Sequence, residues 1–410
     1  VTMANDAAFF SDHHRLSAQQ IASPTASAAF LIKTMLFLIF TLSAPIMNMV
    51  VPYSLPGGSA LVKFHPATWL SFFLCLAISS LHVRPPLHQH YARAAVLFFA
   101  VTVWLMLQGK GAFASTLLDI HFSVAVLLMG LTVLSFEQAR SAVSIFVWIA
   151  ALNVAIVVFE FFARTHVLPI ETYEAFFRPA GLFGHPIACG MMFGCSMIIV
   201  SRGAVGAELV RPLMVLFLLG TAICGVRGPL AAAIVIFTLN LIWPSLPRQS
   251  PNQRMFDLAT AIFLPLAAVG AWAIGAFDRI LAAGLWEDST QSRFYIFEPI
   301  SWLTSAQFWN GIDDYGTMEY LARQATGGSY VENSFVAFVF SSGILIAIFL
   351  SIIIVYFHLP ALSRSLSFIV IFLFFVMGTI GFSSKGQTSA AMALAGYWVC
   401  RSMREERSNA

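Results

Sequence analysis

GILIAIFLSIIIVYFHLPALSRSLSFIVIFLFFVMG, from Gly343 to Gly378, consists of two apolar runs and a short turn that holds its one charged residue, Arg364. About 20 apolar residues are enough for a helix to cross a bilayer. Comparable runs recur along the chain, at 28–53, 66–82, 93–109, 117–136, 141–162, 183–201, 209–224, 228–244, 257–277, 333–357, 361–382 and 387–401. The second, seventh and last are short or weakly apolar. The sequence therefore predicts an all-α fold, a polytopic integral membrane helical bundle of 11–12 transmembrane helices.

The composition agrees with a chain surrounded by lipid. Of its 410 residues, 59% are hydrophobic and 10% are charged, whereas a soluble domain carries about 25% charged residues. The formal charge of +3 is too small to indicate a nucleic-acid partner. Five cysteines lie in or beside apolar runs without CxxC or His/Cys spacing, so neither a disulfide framework nor a metal site is expected. The first run is expected to be a retained helix, because no small-residue cleavage site follows it.

The runs divide the chain into three parts. Residues 1–277 form an N-terminal transmembrane bundle with nine helices, 278–332 a long loop, and 333–410 the C-terminal transmembrane helices with a cytoplasmic tail. The loop is acidic and rich in aromatic residues, and loops of such length are commonly functional. A helix-start signal at Asp288 and the helical spacing of Ile300 and Leu303 predict short amphipathic helices on the membrane surface.

The distribution of basic residues predicts which way the chain faces. With the N-terminus inside, the inner segments hold 13 Lys and Arg residues and the outer segments hold 9. Cytoplasmic loops collect these residues, so this orientation is favoured and the long loop is expected to be periplasmic. Arg178, Arg227 and Arg293 then lie on the outer side, where arginine is normally depleted. This placement indicates a site that holds an anionic ligand there.

Two arginines stand at the starts of predicted helices. FRPAGLFGHP, Phe177 to Pro186, places Arg178 and His185 before one helix, and GVRGPL places Arg227 at the start of another. The free N–H groups and partial positive charge of a helix N-terminus favour an anion. Arginine gains nothing from that dipole by itself, which suggests a phosphate or diphosphate as the counter-charge. The alternative is that each arginine only marks a membrane boundary.

Two further motifs lie in and after the long loop. SRFYIFEPISWL contains Arg293, which could equally be part of a solvated helix face. YVENSFVAFVFSSGIL begins the next predicted span and places Glu332 and Asn333 in its first turn. Glu332 is either a helix cap or, if burial raises its pKa, a general base. Three ionisable residues near the outer helix ends are expected to be partners of the arginines: Asp119, His121 and Glu160.

The order of these motifs resembles the O-antigen ligase/polymerase superfamily of bacterial integral membrane enzymes. The resemblance covers most of the membrane core: RPAGLFGHP, then VRGPL, then a long outer loop with Arg293, then the closing motif. That closing motif reads Glu332-Asn333, nine residues and Gly343, with Ile346 at its final place. Ligases have histidine where Glu332 stands, so the chain is more similar to polymerase-like members.

The resemblance implies a GT-C-like glycosyltransferase on the periplasmic face of the bacterial inner membrane. It would transfer a glycan from undecaprenyl diphosphate to the next lipid-linked repeat unit, with inversion and without metal or cofactor. The residues expected to bind the diphosphate are Arg178, Arg227, His185 and Asn333, and the residues expected to be catalytic are Arg293 and Glu332. Expected partners are the undecaprenyl-diphosphate-linked oligosaccharide, membrane lipids, and a chain-length regulator or export protein.

Two alternatives to a polymerase remain open. A ligase would transfer the glycan to lipid A–core or to protein with the same arginines. A flippase or transporter for lipid-linked sugar would need charged residues along a path to the inner face. The ionisable residues gather instead at the outer helix ends, and this asymmetry favours an enzyme with a one-sided site.

Overall fold

The computed structural model describes residues 26–54, 60–79, 85–170, 177–242, 297–312, 333–378, 381–383, 385 and 387–409, with 269, 272, 273, 317, 320, 321, 323 and 324. Within these ranges the chain is helical and contains no strand. The long helices are α1 Ala26–Thr41, α2 Pro66–Ser79, α3 Pro86–Leu107, α4 Gly111–Val133, α5 Phe136–Ala163, α6 Pro186–Ser201, α7 Ala207–Ile223, α8 Arg227–Ile242, α9 Ser334–Ser342, α10 Ile344–Leu362, α11 Leu366–Gly378 and α12 Thr388–Asn409.

The expected all-helical fold is confirmed for the described residues. Four helices, α3, α4, α5 and α10, are long and apolar enough to cross a membrane, and further apolar helices are shorter. The number of spans, 11–12, remains a prediction. The expected span at 257–277 lies outside the described residues except for three positions, and the expected domain boundary at 277/278 lies outside them entirely.

Helix α10 shows how the bundle meets its surroundings. Its exposed side chains form one apolar stripe at spacings of three and four residues: Leu345, Ile348, Phe349, Ile352, Val355 and Leu359. Such a stripe lies on one face of a helix. A soluble monomer rarely exposes so continuous an apolar face, so this side of α10 is suited to lipid.

Two helices form the interior. Helix α4 is buried from Ala114 to Val133 and contacts α1, α2, α3 and α12, while α6 contacts α5, α7, α8, α11 and α12. Small residues let the neighbours of α6 approach closely. A Cβ on Gly190 would lie 2.7 Å from Pro229 Cβ, and one on Gly194 would lie 2.6 Å from Ile371 Cδ1. This is the usual way in which membrane helices pack.

Helix α4 contains one turn of π-helix, from Leu118 to Phe122. Single π-turns inside α-helices frequently mark functional positions. Here the turn carries Asp119 and His121, both buried.

Helices α2, α4, α6, α8, α9 and α12 all begin at one end of the bundle, which we call the Arg178 end. Contacts between their starts define it. Asp119 Oδ1 accepts a hydrogen bond from His65 N at 3.0 Å, and Ser334 Oγ accepts one from Phe382 N at 3.2 Å. Gly190 and Pro229 pack together one turn into α6 and α8. The described parts of the motifs expected on the outer side therefore lie at a common end of the bundle.

The described part of the long loop also lies at the Arg178 end. It forms two short helices, Glu298–Ser301 and Ser305–Asn310. Ile300 and Leu303 pack against a small apolar cluster beneath them: Ile312, Leu321, Val336 and Phe340. Ile300 lies in the first of these two helices and Leu303 in the turn between them, while the helix start expected at Asp288 lies outside the described residues.

The expectation of one uninterrupted span at 333–357 is wrong, because the chain breaks at Gly343 between α9 and α10. Gly343 has φ +81°, and a Cβ there would overlap the carbonyl group of Trp309 in the loop. Ile312 N also donates to Phe340 O at 2.6 Å. The break thus lets the loop backbone pack directly against the helix backbone, and only glycine permits that approach.

Candidate functional site

The segment that carries Arg178 is held by a buried carboxylate on α5. Glu160 is fully buried, and its Oε2 accepts hydrogen bonds from Ala180 N at 2.8 Å and Gly181 N at 2.9 Å. Its Oε1 accepts from Val167 N at 2.8 Å, and His166 Nδ1 lies 3.6 Å from Oε2. Glu160 was expected to be a partner of the arginines. It acts instead through the backbone, by fixing the loop from which Arg178 projects.

Asn153, two turns earlier on α5, fixes the next part of the same loop. Its Oδ1 accepts from Leu182 N at 2.7 Å, and its Nδ2 donates to Cys189 Sγ at 3.4 Å. Gly181 has φ +51°, and a Cβ there would overlap Asn153 Oδ1. The glycines in RPAGLFGHP therefore allow a tight turn onto α5. An arginine that only marks the membrane boundary would not require a loop held by these hydrogen bonds.

His185 is the N-cap of α6. Its Nδ1 accepts from Ile187 N at 3.2 Å, so the proton of the neutral ring is assigned to Nε2. Burial, with a smaller contribution from nearby Arg178, lowers the pKa of His185 to about 4. The ring is therefore uncharged at neutral pH, and Nε2–H is a neutral donor at the helix start.

The two arginine motifs meet at Gly225. This residue has φ +65°, and a Cβ there would lie 3.9 Å from Arg178 Cδ. Gly225 is two positions before Arg227, the first residue of α8. Both arginines are half-buried. The structure thus brings together two motifs that are separated by about 50 residues in the sequence, and it places them where α6 and α8 begin side by side.

The closing motif is described only from Asn333 onward. Asn333 is buried, and its Oδ1 accepts hydrogen bonds from Phe335 N at 3.0 Å and Val336 N at 3.1 Å. It is therefore the N-cap of α9, a position that the sequence left open between a cap and a ligand. Glu332 and Arg293 lie outside the described residues, so their expected roles remain predictions.

A second polar cluster lies on the π-turn of α4. Asp119 Oδ1 accepts from Thr68 Oγ1 at 2.7 Å as well as from His65 N. Its Oδ2 accepts from Tyr53 OH at 2.8 Å and lies 3.5 Å from Lys385 Nζ. Lys385 also donates to Lys63 O. Burial lowers the pKa of Lys385, and the charge of Asp119 opposes that shift.

Asp119 was expected to be a partner of the arginines, whereas its cationic partner is Lys385. The signal that could have revealed this pair was weak. Asp119 is an acid inside an apolar run, and Lys385 is a cation just before another. Such residues must find partners in a membrane. About two-thirds of the chain separates the two, so nothing local indicates that they meet.

Chemically, the meeting point of the arginine motifs is suited to an anion. The Arg178 side chain packs beside the turn that leads into Arg227, and the N-terminal amides of α6 and α8 and the neutral His185 donor lie close to that turn. Guanidinium groups bind phosphate oxygens in pairs. In the residues that the structure describes, no group of three or more His, Cys, Asp or Glu side chains could hold a metal ion.

The chain was also compared with known proteins. Neither a scan against protein-family models nor a search of curated proteins finds a match.

Proposed function

We propose that this protein is a polysaccharide polymerase of the O-antigen, capsule or exopolysaccharide type. It transfers a growing glycan from undecaprenyl diphosphate to the next lipid-linked repeat unit, at the periplasmic face of the bacterial inner membrane. The reaction inverts the anomeric centre and needs no metal. This proposal gives the Arg178 end a substrate of matching charge and shape.

One observation carries the proposal: Arg178 packs against Gly225, two residues before Arg227, at the starts of two adjacent helices. A diphosphate carries several negative oxygens on two linked centres. Two guanidinium groups and two helix N-termini offer matched donors for them. A lone boundary arginine would not require a loop held by Glu160 and Asn153.

The proposed step breaks the bond between the anomeric carbon and the diphosphate oxygen. The acceptor hydroxyl oxygen attacks that carbon from the opposite face and forms the new glycosidic bond. Undecaprenyl diphosphate leaves with the bonding electron pair, and the hydroxyl proton passes to the Glu332 carboxylate. Preorganised positive charge at Arg178 and Arg227 would stabilise the leaving group, commonly the largest contribution to such catalysis. Arg293 would complete the charge from the loop.

The test uses purified full-length protein in lipid vesicles with a lipid-linked repeat unit. We expect longer polymer and released undecaprenyl diphosphate. Arg178→Gln and Arg227→Gln should each lower the rate about 100-fold or more, as removal of a transition-state donor typically does. Arg164→Gln is the matched control, because Arg164 is exposed at the same end of the bundle and packs on Phe161. Equal rates in all three variants would contradict the diphosphate site.

A second arm distinguishes the polymerase from a ligase and examines Glu332. With lipid A–core offered beside the lipid-linked repeat unit, we expect the repeat unit to be the acceptor. Glu332→Gln should slow transfer, because the amide cannot accept the proton. A wild-type rate in this variant would assign Glu332 a structural role. Preferential transfer to lipid A–core would identify a ligase.

A further inference from the structure

Two cysteines lie side by side next to the loop that carries Arg178. Cys189 is near the start of α6, and Cys224 is the C-cap residue of α7. Both side chains are fully buried, and both are free thiols. The Cys224 thiol lies close enough to the Cys189 thiol to interact with it. The proposed transfer reaction uses neither sulfur, and the distance between them in the sequence gives no sign of the contact.

The packing of α6 against α7 places the two cysteines opposite each other. The helices are joined by the short turn 202–206 and run antiparallel. A Cβ on Gly220 of α7 would lie 3.0 Å from Phe193 Cε2 of α6, so these two positions face each other. Cys189 precedes Phe193 by four residues, and Cys224 follows Gly220 by four. Since four residues make about one helical turn, the cysteines meet one turn further along the same interface.

The two helices approach closely at this interface. A methyl group on Gly220 would already press on Phe193 and on Val154 of α5, so only glycine permits the approach. A disulfide needs two Cα atoms within about 7 Å of each other and Cβ atoms that face each other. Close helix packing with two facing thiols is suited to that geometry.

Each sulfur is connected to one of the two arginine motifs. The Cys189 thiol donates a hydrogen bond to Ala180 O at 2.8 Å, in the loop that carries Arg178. Cys224 directly precedes Gly225, the turn residue against which the Arg178 side chain packs. A covalent bond between the two sulfurs would therefore join the start of α6 to the turn that leads into α8.

We propose that Cys189 and Cys224 are a site of oxidation and form a disulfide in the native protein. A dithiol–disulfide oxidant is the co-reactant. The two cysteines lose both thiol hydrogens and become joined by an S–S bond, while the disulfide of the oxidant is reduced to two thiols. Disulfides persist in the bacterial periplasm and are rare in the cytoplasm, so this proposal rests on the periplasmic location in the proposed function. Because packing covers both thiols, the oxidant acts while the helices assemble.

The test traps the thiols as they are in the cell. Bacteria that produce the full-length protein are lysed in denaturant with N-ethylmaleimide, and the peptides are identified by mass spectrometry. We expect Cys189 and Cys224 in one disulfide-linked peptide pair, and Cys195, which is fully buried on the same helix, as an alkylated thiol. Dithiothreitol in the growth medium should leave all three alkylated. Alkylated Cys189 and Cys224 in cells grown without dithiothreitol would overturn the proposal.

A second measurement examines what the bond does. Purified in detergent, wild-type protein from untreated cells should melt about 5 °C above wild-type protein from cells grown with dithiothreitol. Cys189→Ser keeps a hydroxyl donor for Ala180 O but cannot form the bond, so this difference should disappear. Cys195→Ala is the matched control and should retain it. Equal melting temperatures of the two wild-type preparations would contradict a bond that holds the arginine motifs together.

The two proposals fail in different ways. If both cysteines are alkylated in untreated cells while the purified wild type forms polymer, only the disulfide proposal is overturned. If the linked peptide pair is found, but lipid-linked repeat units yield neither polymer nor released undecaprenyl diphosphate, the disulfide stands and the polymerase proposal falls.

Discussion

At the end of the bundle where α5 begins, arginine side chains donate to backbone carbonyl oxygens, whereas at the Arg178 end buried carboxylates accept from backbone amides. Arg140 Nη2 lies 2.8 Å from Val205 O, and Arg401 Nη2 lies 3.0 Å from Leu134 O. Glu160 has the complementary role, because it accepts from three backbone amides. Arginines therefore stabilise the backbone at one end, whereas at the Arg178 end buried acids do so together with lysines such as Lys385.

This difference separates two uses of arginine. Arg401 donates to the carbonyl of Leu134, the C-cap residue of α4, where a cation is favourable. Arg178 and Arg227 stand beside helix starts, where a cation gains nothing from the dipole. We expect arginines at the first end to contribute to stability and those at the Arg178 end to contribute to ligand binding.

The largest effect is expected for Gly343→Ala. The new Cβ would overlap the Trp309 carbonyl in a backbone conformation that suits only glycine. Strain and overlap together should lower the free energy of unfolding by about 5 kcal/mol. Thermal unfolding in detergent measures this loss. Gly111→Ala is the control, because nothing lies within 4 Å of the added Cβ, and a stability equal to that of Gly343→Ala would contradict the packing argument.

The second largest effect on stability is expected for Glu160→Gln. Only the oxygen of the new amide can accept hydrogen bonds. Its NH₂ group would face backbone N–H groups, so donors would face donors. A loss of about 3 kcal/mol in the free energy of unfolding is expected, with a further loss of activity as the Arg178 loop shifts. The control Glu137→Gln concerns an exposed acid at the opposite end and should change stability little. Similar losses in both variants would remove the distinction between the two ends.

The pH dependence of stability should report on His185. Its pKa is about 4 in the folded protein and near 6.5 when unfolded, so the unfolded chain binds more protons between these values. Above pH 6.5 this group does not lower the free energy of unfolding. As the pH falls below 6.5 that free energy decreases, by about 2 kcal/mol at about pH 5. His185→Asn retains a cap and removes the titration. If the melting temperatures of the wild type and His185→Asn decrease equally as the pH is lowered, another group causes the pH dependence.

The smallest effect is expected at the opposite end. Arg401→Gln removes a partly exposed charged hydrogen bond and should cost about 1 kcal/mol of stability, with transfer activity retained. Arg227→Gln should show the reverse pattern, normal stability and lost activity. Melting temperature and transfer rate, measured on the same preparations, compare the two variants. A loss of activity in Arg401→Gln without a change in stability would contradict the division of roles between the arginines of the two ends.

The sequence predicted helices well where apolar runs and start signals coincide. The expected span at 183–201 is Pro186–Ser201, and that at 228–244 is Arg227–Ile242. Pro186 marks the first start because proline suits the first helical turn. The start of α3 was predicted seven residues too late, because its first two turns are polar and its proline signal was not used. The break at Gly343 depends on a loop far away in the sequence.

The candidate site was predicted in part. Helix-start arginines in two motifs indicated an anion site, and the structure brings Arg178 next to Gly225. The roles of Glu160 and Asn153 in holding that loop could not be read from spacing, since their partners are backbone amides of a distant turn.

The enclosure of α4 has a consequence for how the protein is made. Synthesis proceeds from the N-terminus, so Asp119 enters the membrane long before Lys385 leaves the ribosome. Until α12 inserts, the nascent protein carries a buried acid without its cation, at a considerable energetic cost in lipid. Insertion of α12 is therefore the step that brings the cation to Asp119. Chains that stop short of it should be the ones that membrane-embedded proteases recognise and remove.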